Sequence, residues 1–78
     1  MARMAVKNVK RQWLADIRTN RGKTQLEVAR AVGLSQSGYA NIEVGLRMPS
    51  VETAKRIAAA LGFEWIRFFE EPETEDSA

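Results

Sequence analysis

The sequence predicts an all-α fold, a compact domain of five short helices. Apolar residues recur at spacings of three and four along most of the chain, which is the period of an amphipathic helix. Residues typical of helix ends separate the segments: Thr24, Ser35 and Ser50 are predicted N-caps, and Gly33 and Gly62 predicted C-terminal stops. Because each predicted helix is too short to be stable alone, stability must come from one shared core.

The first helix is predicted over about residues 10–20, after a basic arm over residues 1–9. Leu14 and Ile17 lie three positions apart and therefore share one helix face. Gly22 follows as the natural left-handed residue beyond the helix end.

Two short amphipathic helices joined by a tight turn are predicted over residues 25–44. Thr24 begins the first helix with a capping box, and Gly33 stops it. Ser35 caps the second helix, which runs to about Glu43. The residues spaced to pack the two helices together are Val28, Ala29, Val32, Leu34, Tyr39 and Ile42. This pattern is a helix-turn-helix, the unit that sets its second helix into the major groove of DNA.

A fourth helix and a short fifth helix are predicted towards the C-terminus. Ser50 caps the fourth helix and Gly62 ends it. Its apolar stripe is Val51, Ala54, Ile57, Ala58 and Leu61. The very apolar residues 63–69 are predicted as the fifth helix, and residues from Pro72 onward as disordered. We therefore expect a flexible basic arm, a helix-turn-helix domain and an acidic disordered tail, over residues 1–9, 10–69 and 70–78.

The composition argues against catalysis and against a metal site. The 78 residues include no cysteine and no histidine, so the usual thiolate and imidazole ligands and the commonest general base are missing. We therefore expect no enzymatic activity and no cofactor. No apolar run is long enough to span a membrane, and we expect no secretory signal. These features, with the lack of cysteine, favour a cytoplasmic location.

Charge is distributed unevenly, although the whole chain carries a formal net charge of only +2. Residues 1–69 hold all twelve Lys and Arg residues and five acids, which gives this part +7. Residues 70–78 hold five acids and no base. The basic part suits a polyanion such as nucleic acid, and we interpret the tail as a solubilising segment.

An ordered set of short motifs runs through most of the chain. The motifs are Ile17-Arg18 followed by Gly22, Thr24-Gln25 with Val28-Ala29, Gly33-Leu34-Ser35, Ile42-Glu43 with Gly45, Pro49-Ser50, and Ala58 with Leu61-Gly62. Together they resemble the Cro/cI-type (XRE) helix-turn-helix family of small DNA-binding repressor domains. The resemblance implies five helices, a DNA-recognition helix over residues 35–43, and dimeric binding to double-stranded operator DNA. It also implies a partly buried ion pair between Arg18 and Glu43.

Four residues of the recognition helix are candidates for contact with base edges: Gln36, Ser37, Ala40 and Asn41. Gln and Asn side chains can bond adenine bidentately, Ser can bond either class of base, and the Ala methyl can pack on a thymine methyl. A solvated helix face would carry the same polar residues. The resemblance favours base contact over that alternative.

Seven residues are candidates for contact with the DNA backbone: Gln25, Ser35, Tyr39, Arg47, Lys10, Arg11 and Lys23. Gln25 lies in the first turn of a helix, where backbone N–H groups favour an anion. The Tyr39 hydroxyl must reach solvent, a partner or a phosphate. Arg47 is the strongest of the cations, because the loop after the recognition helix usually lies along the DNA backbone in the family. For each cation, a merely solubilising role is the alternative.

The segment near the C-terminus is more apolar than a core of this size needs. Its candidate dimer contacts are Trp65, Ile66, Phe68 and Phe69. The excess indicates a symmetric contact with a second copy. Burial of all four within one chain is the alternative.

These observations predict a sequence-specific DNA-binding transcription regulator that acts as a homodimer, with repression the favoured role. The alternative is a protein-interaction module, or an antitoxin-type protein that keeps the fold and binds a toxin or an anti-repressor. The polar Gln36 and Asn41 and the basic body favour DNA over a protein partner. We expect no membrane partner.

Overall fold

The computed structural model describes residues 10–70. Within this range the chain forms α1 (Gln12–Asn20), α2 (Gln25–Val32), α3 (Gln36–Glu43), α4 (Val51–Leu61) and a final 3₁₀ helix (Trp65–Phe69). This part of the chain contains no strand, so the all-α prediction is confirmed there. The predicted basic arm and most of the acidic tail lie outside the described residues.

The prediction of five α-helices is not confirmed, because the fifth element is a 3₁₀ helix. The N–H of Arg67 donates to the carbonyl of Glu64 at 3.0 Å, and the N–H of Glu70 donates to that of Arg67 at 3.3 Å. These bonds connect residues three apart, which defines the tighter helix, and short pieces of about this length are its usual form. Apolar composition alone does not distinguish the two helix types.

Side-chain caps begin three of the helices as the sequence predicts. Thr24 Oγ1 accepts the N–H of Glu27 at 3.1 Å, while the Glu27 carboxylate accepts the N–H of Thr24 at 2.8 Å. This reciprocal pair is the predicted capping box. Ser35 and Ser50 cap α3 and α4 in the same manner, each accepting one N–H three residues later.

The turn between α2 and α3 depends on Gly33, whose φ is +78°. A Cβ is disfavoured in this left-handed conformation. The N–H of Leu34 donates to the carbonyl of Ala29 at 2.8 Å and closes a Schellman motif. A second such motif ends α3, where Gly45 has a φ of +86° and the N–H of Leu46 donates to Asn41 at 2.9 Å.

The core lies between α2, α3 and α4, and α1 and the 3₁₀ helix close its sides. Its fully or nearly fully buried members are Leu14, Val28, Ala29, Val32, Tyr39, Ile42, Ala54, Ile57, Leu61 and Phe68. Leu34 is half-buried against them. Val51, predicted in the buried stripe of α4, is instead half exposed at the first position of that helix.

Phe68 was predicted as a dimer contact, and that prediction is wrong. Its side chain is fully buried in the core. The Trp13 ring meets the Phe68 ring edge-on at a centroid distance of 5.2 Å and the Phe63 ring at 5.3 Å. Such aromatic contacts stabilise a core beyond the area they bury. Of the four candidate dimer contacts, Phe68 is therefore a core residue of the single chain.

Candidate nucleic-acid interface

Helix α3, which the sequence predicts as the DNA-recognition helix, has one exposed polar face and one buried face. Gln36 and Ser37 are exposed in its first turn, and Ala40 and Asn41 lie half-buried one turn later. Because residues four apart are neighbours on a helix, these four form a continuous patch. The buried residues of α3 are Tyr39, Ile42 and Glu43. All four candidate base contacts therefore lie on one surface of α3. The opposite surface of the helix is packed into the domain.

The first turn of α3 is shaped by its cap. Ser35 Oγ accepts the N–H of Gly38 at 3.0 Å and lies 3.5 Å from Ser37 Oγ. A Cβ at Gly38 would meet Ser35 Oγ at only 3.0 Å. Glycine within this helix thus avoids crowding the capping oxygen. Ser35 remains exposed, so a phosphate contact by its hydroxyl stays a prediction.

The buried carboxylate of Glu43 joins α3 to α1 and α2. Glu43 Oε2 accepts from Arg18 Nε at 2.6 Å and from the Tyr39 hydroxyl at 2.7 Å. Glu43 Oε1 accepts from Arg18 Nη2 at 3.3 Å and from Gln25 Nε2 at 3.1 Å. The ion pair implied by the family resemblance is therefore present, within a larger network. Charge-assisted bonds of this kind are the strong ones, so the network fixes α3 on the domain.

Tyr39 was predicted as a phosphate contact, and the structure contradicts this. The side chain is fully buried and its hydroxyl donates to Glu43. Burial, and then the hydrogen bond to the carboxylate, raise the pKa of Tyr39 well above its ordinary value. The sequence left solvent, a partner or a phosphate as possible contacts of this hydroxyl. The structure gives it a partner within the same chain, the Glu43 carboxylate.

Opposing effects act on the pKa of Glu43. Burial raises it, but the hydrogen bonds from Arg18, Tyr39 and Gln25 outweigh burial and hold the pKa below its ordinary value. The carboxylate in turn raises the pKa of Arg18. The pair is therefore ionised at neutral pH.

Gln25 is half-buried at the first position of α2, with its amide nitrogen bonded to Glu43. An amide nitrogen carries two hydrogens, so one remains for a second acceptor. The network thus fixes the side-chain amide that we predict to contact a phosphate.

Arg11 was predicted as a phosphate contact, and the structure contradicts this as well. The residue is almost completely buried, and its guanidinium donates to the carbonyls of Ile42 at 2.6 Å and Arg47 at 3.0 Å. It also lies 5.7 Å from the Phe68 ring centroid, at cation–π distance. A guanidinium turned towards carbonyls inside the fold is not presented to a phosphate.

The remaining candidate cations, Lys10, Lys23 and Arg47, are all exposed. The Lys23 carbonyl accepts from Arg18 Nη1 at 2.8 Å, which fixes the backbone just before α2. Arg47 follows the Schellman motif of α3, and its N–H donates to the carbonyl of Asn41 at 3.2 Å. Their contact with phosphates stays a prediction.

The other candidate dimer contacts have exposed surface. Ile66 and Phe69 are 46% and 44% exposed, and Trp65 is half-buried. The Trp65 ring packs edge-on against the Phe69 ring at 6.0 Å and carries the Lys55 ammonium at 5.1 Å. These three residues form an apolar surface that we call the C-terminal patch.

Sequence reasoning missed the role of Arg21. Its Nε donates to the carbonyl of Leu61 at 2.7 Å, and its Nη2 lies 3.4 Å from the carbonyl of Gly62. A cation at a helix C-terminus is favourable. The helix that Arg21 caps is about forty residues away along the chain, so no local signal identifies the pair.

The described residues also bear on other kinds of site. Residues 10–70 contain no group of three or more acidic or metal-ligating side chains placed to hold a metal ion. None of the helices in this range is long and apolar enough to cross a membrane.

Comparison with known proteins identifies the fold family. The model of the family described as "Helix-turn-helix" matches residues 14–66, which span α1 to the 3₁₀ helix. The chain belongs to the Cro/cI-type (XRE) helix-turn-helix family. A protein of Bacillus subtilis (strain 168), named "Uncharacterized HTH-type transcriptional regulator YqaF", is 46% identical over 61 residues. That match covers 78% of this chain and 80% of the relative. Family membership and the geometry of α3 support a DNA-binding transcription regulator.

Proposed function

We propose that this protein is a sequence-specific DNA-binding transcription regulator that places α3 in the major groove. The observation that carries the proposal is the division of α3 into an exposed polar patch and a buried, hydrogen-bonded face. A helix must be fixed in orientation if its side chains are to select base edges. The carboxylate of Glu43, bonded to Arg18 and Gln25 from the two preceding helices, supports that fixed orientation.

Base selection is assigned to the patch of α3 and affinity to its surroundings. Gln36 and Asn41 carry amides suited to adenine, with Ser37 between them. Arg47, exposed beyond the C-terminus of α3, supplies a cation for a backbone phosphate. Lys10 and Lys23 add further positive charge, and each neutralised phosphate contributes salt-dependent affinity without sequence preference.

Dimeric binding is part of the proposal. The C-terminal patch provides exposed apolar surface on a small domain. A two-fold dimer uses the same patch on both copies and would bind half-sites about 34 Å apart. Repression is the favoured role, because it requires only occupancy of the operator.

A partner protein is the second candidate, and exposed apolar side chains outside the C-terminal patch favour it. Leu46 and Met48 project from the loop after α3 and are both more than half exposed. A toxin or an anti-repressor that covers this loop would be bound beside the recognition helix. Replacing Gln36 and Asn41 with alanine separates this function from sequence-specific DNA binding.

The decisive variant is the double change Gln36→Ala and Asn41→Ala. Each amide contact with a base is worth about 1–3 kcal/mol, so the loss of both should lower affinity for a selected operator at least roughly 30-fold per half-site. Affinity for scrambled duplex should stay the same. The matched control is Gln12→Ala, which removes the same exposed amide from the first position of α1. Anisotropy titrations measure the affinities and far-UV circular dichroism verifies the fold. Equal operator affinity in the folded double variant and the control would refute base selection by α3.

A further inference from the structure

Arg11 joins the end of α3 to the loop that follows it. Its Nη1 donates to the carbonyls of Ile42 and Arg47 at 2.6 and 3.0 Å, and its Nη2 lies 3.4 Å from Met48 Sδ. Its backbone N–H donates to the carbonyl of Glu43 at 2.7 Å. A single residue before α1 therefore contacts both the last turn of the recognition helix and the loop towards α4.

The same contacts enclose the backbone of Arg47 while its side chain stays exposed. The N–H of Arg47 donates to the carbonyl of Asn41, and the carbonyl of Arg47 accepts from Arg11. With both backbone polar groups bonded, the position from which the Arg47 side chain leaves the domain is fixed. A side chain held in place in this way loses less freedom when it binds a phosphate.

The chemistry at this point suits arginine. The α3 terminus carries partial negative charge, which favours a cation. The planar guanidinium can donate to several carbonyls at once, whereas the compact ammonium of lysine does not reproduce that fork. An almost fully buried charge would be costly without such partners.

We propose that Arg11 is a positioning residue for DNA binding, which acts by holding the Arg47 loop against the end of α3. This inference rests on the proposed function and deepens it. Arg11 does not touch the phosphate itself. Its removal weakens binding because the Arg47 contact is lost, so the two residues act as one unit.

The test compares four proteins: the wild type, Arg11→Gln, Arg47→Gln and the double variant. Affinity for the selected operator is measured between about 50 and 200 mM salt, at a temperature where urea titrations show all four to be folded. In a dimer each substitution removes two phosphate contacts, one from each copy. The slope of log affinity against log salt should therefore become shallower by about 1.8, so that affinity falls roughly 12-fold less over this salt range. We expect this change from Arg11→Gln, from Arg47→Gln and, without further addition, from the double variant.

The matched control is Arg21→Gln. Arg21 also donates to carbonyls at a helix end, but these belong to Leu61 and Gly62 and not to the loop that contains Arg47. It should leave the salt slope unchanged even where stability falls. An unchanged slope in folded Arg11→Gln, with the full effect of Arg47→Gln preserved in the double variant, would overturn the inference. Absence of DNA binding by the wild type would instead overturn the proposed function, and the positioning role with it.

Amide hydrogen exchange of Arg11→Lys covers the case in which Arg11→Gln does not fold. The amides of Leu46 and Arg47, both bonded to Asn41, should exchange at least tenfold faster in this variant than in the wild type, relative to the amides of α2. Equal protection of the two amides in both proteins would show that Arg11 does not hold the loop.

Discussion

Replacing Glu43 with glutamine should lower the free energy of unfolding by about 3 kcal/mol, the lower end of the range for breaking a buried ion pair. The change keeps the shape of the side chain but removes the charge that Arg18 faces. At an effective dielectric constant of 20, two charges 4 Å apart interact by about 4 kcal/mol. Arg18 is 14% exposed and keeps its bond to the Lys23 carbonyl, so part of this energy is recovered.

This loss is large for a small domain. At roughly 0.05–0.15 kcal/mol per residue, a chain of 78 residues is stable by about 4–12 kcal/mol. Urea unfolding followed by the fluorescence of Trp13 and Trp65 measures the change. Arg18→Met and the double variant with Glu43→Gln complete a thermodynamic cycle, in which we expect a coupling of at least about 1.5 kcal/mol.

An exposed ion pair on α4 provides the control for this cycle. Glu52 and Arg56 are bonded at 2.8 Å, but their side chains are 75% and 57% exposed. Glu52→Gln should cost no more than about 0.5 kcal/mol. A similarly small loss of stability in Glu43→Gln, or additive effects of the Arg18 and Glu43 substitutions, would show that this ion pair does not stabilise the domain as proposed.

Three further predictions concern pH, the turn and the apolar residues near the C-terminus. Stability should fall on acidification through and below pH 4.5, where the unfolded state binds a proton that the lowered pKa of Glu43 resists. Stability should fall again above pH 10, because the unfolded state loses the Tyr39 proton there while the raised pKa of Tyr39 keeps the folded state protonated. Urea titrations at a series of pH values check both effects. Glu43→Gln should weaken the loss of stability at acidic pH. Gly33→Ala should cost about 1–2 kcal/mol because φ is +78°, while the new Cβ would lie at an ordinary contact distance of 3.9 Å from Arg56 Nη1. An unchanged urea midpoint would contradict this. Phe68→Ala should cost about 3–5 kcal/mol of stability. Phe69 is half exposed, so Phe69→Ala should cost less stability but should shift a dimer towards monomer in sedimentation. Equal losses of stability would count against placing only Phe68 in the core.

Local features of the fold were predictable from sequence. The capping box at Thr24, the serine caps and the left-handed glycines depend on residues within one or two turns. The helical spacing of Val28, Ala29 and Val32 likewise indicates the buried face of α2, even when the helix that packs against it is unknown. Such signals identify the helices and the face that each one buries.

Non-local features could not be predicted in the same way. Arg11 looks like a surface cation, and only its contacts with carbonyls more than thirty positions later show that it is buried. Tyr39 and Phe68 were ambiguous because an aromatic side chain suits either a core or a surface. Their places depend on which chain segments meet in the fold, and the sequence pattern of one segment does not contain that information.

Sequence-specific binding by α3 is tested most directly by selecting bound duplexes from a randomised DNA pool at about physiological salt and measuring their affinities. We expect an enriched two-fold-symmetric site with half-sites about one helical turn apart, bound at least roughly 10³-fold more tightly than scrambled duplex. A pool without enrichment, from which the protein binds all duplexes weakly and with the same salt dependence, would contradict sequence-specific recognition by α3.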